Sequence, residues 1–147
     1  MAVAGTKGQG PTTRLTGGQA LVQCLKAQGV DTVFGLPGIQ LDWLFDAFYQ
    51  ERERIRVYHT RHEQAVSYMA DGYARVTGRV GVCVMVPGPG VLNAMAGLST
   101  AFACSSPVLC ISGQIPSHQI GAGRGLLHEI PEQLRALRSV TKWAARA

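Results

Sequence analysis

Short apolar runs alternate along this chain with segments of helical period. Thr16 and Gln19 have capping-box spacing, and Ala20, Leu21, Cys24 and Leu25 then repeat at helical intervals until Gly29, which can end the helix. Val30 to Phe34 predicts a short strand, stopped at Gly35-Leu36-Pro37-Gly38 because a strand cannot run through such a turn. Leu41, Leu44, Phe45 and Phe48 predict a second helix, and Ile55 to His59 a second strand. A third helix is predicted from Glu63, with Ala65, Val66, Met69, Ala70, Tyr73 and Ala74 on one face and Gly78 closing it. Val80 to Val86 is nearly all apolar, as in a strand covered on both faces. Pro87-Gly88-Pro89-Gly90 leads into a helix of small residues through about Ala103. Val108 to Ser112 reads as another buried strand, followed by a glycine-rich loop over 113–125 and a short helix near Pro131 to Arg138.

This alternation predicts an α/β fold, a three-layer α/β/α sandwich built on a mostly parallel sheet. In open sheets of this kind ligands bind beyond the carboxyl ends of the strands. The turns at 35–38, 60–63, 87–90 and 113–114 all fall at such ends, so the binding edge is defined by pattern alone. Residues 1–14, rich in Gly, Thr and Lys, read as a disordered leader, and 15–147 as one domain without an internal repeat.

Composition narrows the picture. The length of 147 residues fits one compact domain, and 46% hydrophobic against 16% charged residues supplies a real core. A mean hydropathy of +0.09 and 18 glycines suggest buried strands, close backbone approaches and a face meant for a partner. The net charge of +5 is spread out: Arg52, Arg54 and Arg56 alternate with Glu51 and Glu53, and no basic stripe with interleaved aromatics marks a nucleic-acid surface. Cys24, Cys83, Cys104 and Cys110 lie in apolar stretches without CxxC spacing, so buried free thiols in a reducing cytoplasm are expected rather than a disulfide scaffold or zinc site. The leader has no continuous apolar stretch, and the apolar region from Val80 to Ile111 is broken by the Pro-Gly turn, which argues against a secretory signal and a membrane span.

Two constellations could carry chemistry. Gly88-Pro89-Gly90-Val91-Leu92-Asn93 nearly matches the dinucleotide fingerprint GxGxxG, but Asn93 replaces the third glycine, and no acidic residue follows at the end of the next strand. Pro89 also removes an amide that would face a phosphate. A Rossmann-type nucleotide-binding domain is therefore a lesser alternative. Arg61-His62-Glu63-Gln64 stands at a strand end and a helix start, where a carboxylate gains from the helix dipole. On its own, Glu63 reads more readily as a helix-start carboxylate than as a catalyst. His59 and His62 flank a strand-to-helix turn and HExxH is missing, so no metal site is expected.

Taken together, the motifs resemble a family. Val33-Phe34-Gly35-Leu36-Pro37-Gly38 looks like the first-strand signature of thiamine-diphosphate-dependent enzymes of the acetolactate synthase, pyruvate oxidase and benzoylformate decarboxylase group. Arg61-His62-Glu63-Gln64-Ala65 with Met69-Ala70-Asp71-Gly72-Tyr73-Ala74-Arg75 resembles that family's catalytic-glutamate segment. Gly88-Pro89-Gly90 with Asn93, Ile111-Ser112-Gly113-Gln114 and Thr141-Lys142 match later family segments in the same order, over about residues 15 to 143. The resemblance implies the N-terminal, pyrimidine-binding domain of such an enzyme, serving carboligation or decarboxylation of a 2-keto acid. It implies that Glu63 hydrogen-bonds the pyrimidine N1′ of thiamine diphosphate and exchanges a proton with it, favouring the tautomer that takes the thiazolium C2 proton. A mostly apolar pocket would tune such a carboxyl toward exchange near neutral pH. By the same resemblance Gly35, Pro37 and Gly38 shape the loop near the cofactor, Gly88 and Gly90 allow close backbone approach, and Asn93 braces the turn or meets the pyrimidine. Gln114 would lie near the substrate, although a structural hydrogen bond serves Asn93 and Gln114 equally well. His128, at a departure from the family motif, reads as a substrate-side acid/base group or, somewhat more readily, as only a loop histidine.

The chain departs from the pattern in two places. Ile39-Gln40 stands where acetolactate synthases usually have Gly-Ala, and Leu127-His128-Glu129 where Phe-Gln-Glu is typical. Both lie where the family handles substrate, so the choice of 2-keto acid does not follow. The family's magnesium-bound diphosphate is held by a separate C-terminal domain with a Gly-Asp-Gly motif that this sequence lacks. The expected partner is therefore the diphosphate-binding domain of another chain or of a missing C-terminal region, in a homo- or hetero-oligomer. Small residues over 94–103 suit such association. A catalytically silent assembly module, or a truncated fragment, is the alternative reading.

Overall fold

Alternation of side chains along the central strand sets the layering. The computed structural model describes residues 14–147, so the leader expected over 1–14 lies, apart from Arg14, outside the described residues. In β3 (Gly81–Met85), Val82 and Val84 face one layer while Cys83 and Met85 face the other. The first layer holds α1 (Gly17–Ala27) and α2 (Asp42–Gln50), whose Val22, Leu25, Leu44 and Phe48 pack with Val33 of β1 (Thr32–Gly35). The second holds α3 (Glu63–Thr77), α4 (Pro89–Ala103) and α5 (Gln133–Arg138), packed through Val66, Ala70, Val91, Ala94, Leu98 and Leu137. Each fully buried valine contributes about 1.5–3 kcal/mol.

With β2 (Arg56–His59) and β4 (Val108–Ser112), the strands run in the order β2-β1-β3-β4, and every pair is parallel. Val33 sits beside Val57 and Val82, and Cys83 beside Cys110. This is the α/β sandwich expected from the pattern, with all four strands parallel. Among the described residues no helix is long and apolar enough to cross a membrane.

Local signals act where the sequence placed them. Thr16 accepts from the Gln19 amide at 3.2 Å while the Gln19 side chain accepts from the Thr16 amide at 3.0 Å, closing the capping box. Gly78 ends α3 in the left-handed region, with φ 68°.

Four expectations need correction. The buried face of α3 is Val66, Ser67, Ala70, Asp71 and Ala74, with Tyr73 only half-buried, whereas Ala65 and Met69 are exposed. The face is rotated because α4 approaches so closely that a Cβ on Gly97 would meet the Ser67 side chain and lie 2.8 Å from the Tyr68 amide nitrogen. Ala94, Gly97 and Ala101 are thus spent inside the domain, and of the small residues expected to suit association only others, such as Ala96, Ser99 and Ala103, stay exposed. Strand β4 is an edge strand, and Leu109 is 40% exposed instead of covered on both sides. Finally, Cys24 and Cys104 are exposed. Cys83 alone is fully buried, and the neighbouring Cys110 thiol together with burial pushes its own thiol far up, so it is no nucleophile.

Asp71, only 5% exposed, is held by Arg75 one turn on, through Nε at 3.0 Å and Nη2 at 2.9 Å. Burial raises its pKa, but the Arg75 bonds and a hydrogen bond from Ser106 outweigh that and hold the carboxyl below its ordinary 3.8.

Two outcomes follow for stability. Gly97→Val should cost about 1–3 kcal/mol by forcing α3 and α4 apart, while Gly72→Ala, at a helical site where an added Cβ meets nothing within 4 Å, should stabilise by about 0.5–1 kcal/mol. Urea midpoints of the two variants should move in opposite directions. Because the folded Asp71 is the stronger acid, its contribution is complete above the unfolded value of about 3.9 and fades as pH falls through the folded one. The stability gap between wild type and Asp71→Asn, from urea unfolding across the acid range, should accordingly be flat above a pH of about 5 and close below it.

Candidate functional site

Four strand ends bring the candidate residues to one edge of the sheet. Strand β2 ends at His59, Thr60 donates to the His62 carbonyl at 2.8 Å, and the His62 imidazole caps α3 by accepting from the Gln64 amide at 3.2 Å. That turn delivers Glu63 as the first residue of α3. Its Oε2 accepts from Asn93 Nδ2 at 3.0 Å, and its Oε1 passes beside Gly90, where an added Cβ would lie 3.4 Å away. Among the described residues Glu63 joins no ion pair. It is half-buried.

The other predicted residues form a second group along the same edge. Gly38 packs on Val86, Gly35 lies against Phe45 and Val84, and Pro37 is exposed between them. Gly113, past the end of β4, lies against Gln40 and Leu41, so the first loop spans the edge. Gly88 is buried with φ 56°, and a Cβ there would strike the carbonyl of His128. His128 itself has φ 67°, and its Nδ1 lies 2.9 Å from Gln40 Oε1. Gln114 is half-buried and turns back to accept from the Ile115 amide at 2.8 Å. Glu63, Gly90 and Asn93 therefore touch one another, as do Gly88, His128 and Gln40 in a chain. Gln114 is held by its own backbone.

The residue that sequence reasoning missed is Gln133. Although on the short helix α5, it is buried, accepts from the Gly88 amide at 2.9 Å and donates toward the Gly113 carbonyl at 3.3 Å. One side chain thus ties the ends of β3 and β4 together. Its partners lie far away in sequence, and no local spacing announces them. Among the described residues no group of three or more His, Cys, Asp or Glu could hold a metal ion.

The arrangement is that of a sheet-edge binding site, and comparison with known proteins gives its class. Residues 15–136 match the family "Thiamine pyrophosphate enzyme, N-terminal TPP binding domain". The chain belongs to this family. It is 44% identical over 137 residues to a probable 2-ketoarginine decarboxylase of Pseudomonas aeruginosa, covering 93% of this chain and 24% of the relative. It is 43% identical over 107 residues to a probable acetolactate synthase large subunit of Methanocaldococcus jannaschii, covering 73% and 18%. With an acetolactate synthase of Arthrospira platensis it shares 44% over 110 residues, covering 74% and 19%. The chain thus spans between a fifth and a quarter of the length of such relatives, or slightly less.

Membership displaces the Rossmann alternative, and the geometry agrees. The Gly88 amide is taken by Gln133, the Gly90 amide by the Pro87 carbonyl at 3.3 Å, and Pro89 has none. Neither fingerprint glycine therefore offers a pyrophosphate a free amide at this turn.

Gln133→Leu should cost about 1–3 kcal/mol, because the buried Gly88 amide loses its partner. Hydrogen exchange at the Gly88 amide should quicken far more than at β1 amides.

Proposed function

We propose that this chain is the pyrimidine-side half of a thiamine-diphosphate site in a 2-keto acid carboligase or decarboxylase, and that Glu63 is the acid activating the cofactor. The observation that carries the reading is the posture of Glu63. It stands at the carboxyl edge of the sheet, Asn93 holds one oxygen, and the other passes a residue with no side chain. Asn93 Nδ2 donates to Oε2, so in this arrangement a proton taken up by the carboxyl would sit on Oε1. Oε1 would then be the atom of this chain that gives up and regains a proton toward a bound nitrogen heterocycle. A side chain at Gly90 would crowd both Val86 and Glu63, so glycine keeps that approach open. Gly35, Pro37 and Gly38 form the neighbouring wall through the packing of Gly38 on Val86. When bound, thiamine diphosphate supplies an acidic thiazolium carbon that becomes the nucleophile toward a 2-keto acid.

The residues present fit one end of that cofactor and not the other. Glu63, Asn93 and Gly90 suit a nitrogen heterocycle, whereas no cluster that would cage magnesium occurs among the described residues. We assign diphosphate and Mg2+ to a second domain, supplied by another chain or by sequence beyond this one. The names carried by the relatives, acetolactate synthase and 2-ketoarginine decarboxylase, share a 2-keto acid as the reacting class.

The test mixes the full chain with a diphosphate-binding domain partner and follows C2 proton exchange of thiamine diphosphate by NMR in heavy water. Glu63→Gln keeps the shape and both polar ends but cannot exchange the acidic proton. It should slow exchange by about 10²–10⁴-fold while leaving the unfolding midpoint unchanged. Equal exchange in wild type and variant would overturn the role of Glu63. No exchange with the wild-type chain would favour the silent assembly module.

A further inference from the structure

Gln40 and His128 stand 88 positions apart and meet side chain to side chain. The contact fixes a proton. The Gln40 amide has one donating and one accepting end, and its Nε2 donates to the Leu127 carbonyl at 3.1 Å. A backbone carbonyl can only accept, so the amide cannot be turned round, and its Oε1 is the end facing His128 Nδ1 at 2.9 Å. An amide oxygen also only accepts. The hydrogen of a neutral imidazole must therefore sit on Nδ1, and Nε2 is left bare.

The backbone of this loop is held as firmly as the ring. His128 has a positive φ, which a non-glycine residue adopts only where its surroundings hold it there. It does so with its carbonyl pressed on Gly88, a contact only a glycine there permits. A loop histidine serving as a mere brace could use either ring tautomer, yet this arrangement excludes one.

We propose that Gln40 is a positioning residue that holds His128 in its Nδ1–H form, so that Nε2 serves as a proton acceptor toward the substrate of the half-site. The substrate side of this inference rests on the function proposed above; the tautomer does not. In the step it supports, an N–H bond forms at Nε2 as the O–H bond of a substrate hydroxyl or bound water breaks, and the electron pair stays on that oxygen. The imidazolium keeps its Nδ1–H bond to Gln40 and returns the same proton in the reverse step.

The first test is long-range 1H–15N NMR of the 15N-labelled full chain at a pH of about 8.5, above the ordinary histidine range. His128→Gln assigns the ring signals. The wild type should show the Nδ1–H pattern, Gln40→Leu should lose it, and Gln40→Glu should keep it because a carboxylate also accepts. A wild-type ring in the Nε2–H form, or a pattern unmoved by Gln40→Leu, would overturn the inference. The second test uses the chain with its diphosphate-domain partner. Gln40→Leu should lower pyruvate turnover at least about ten-fold more than it lowers C2 proton exchange. Equal effects on both overturn the substrate-side role. Loss of exchange in Glu63→Gln alone, with the tautomer intact, reports on the half-site reading separately.

Discussion

The close passage of α4 across α3 is the constraint from which the site follows. Gly97 meets Ser67 because no side chain keeps the helices apart. One turn toward the amino end of each helix, the same pairing brings Asn93 to Glu63. Both helices begin just after parallel strands and run the same way, so a single close contact sets the distance between the carboxyl and its amide partner. A bulkier residue at 97 would disturb the far end of the helix pair as well as its middle. Stability of the core and geometry of the site are one property here.

Much of the fold was legible because its causes are local. The capping box at Thr16, the left-handed Gly78 and the proline-glycine turn after β3 act within a few residues, and each acts as the sequence indicates. What was illegible depends on neighbours. Helix α3 buries Ser67 and Asp71 rather than Ala65 and Met69, since a glycine helix and Arg75 make room for polar groups that hydropathy would put outside. Likewise β4 has the composition of a covered strand, but only sheet order decides that nothing flanks it among the described residues.

The site divides along the same line. Glu63, Gly90 and Asn93 stand at turns that the strand ends announce, and their family resemblance has a physical basis in that placement. Gln133 and the Gln40–His128 pair join segments 45 and 88 residues apart. No spacing rule reaches that far. Two positions first noticed as departures from the family pattern, 40 and 128, turn out to touch. Departures that occur together in space are better explained by one shared task than by two accidents.

A proton-transferring acid needs more than alignment. Water reaching Glu63 would exchange its proton directly and weaken every hydrogen bond around it. This chain leaves the carboxyl half-buried, and beside it on α3 a shallow hollow of about 500 Å³ lined by His62, Tyr68 and Met69 stays open. On the proposed reading, the dry wall would be supplied by the same second domain that holds the diphosphate. Excluding water and anchoring the cofactor would then be a single event, and the carboxyl held by Asn93 would stay idle until such a domain closed over it.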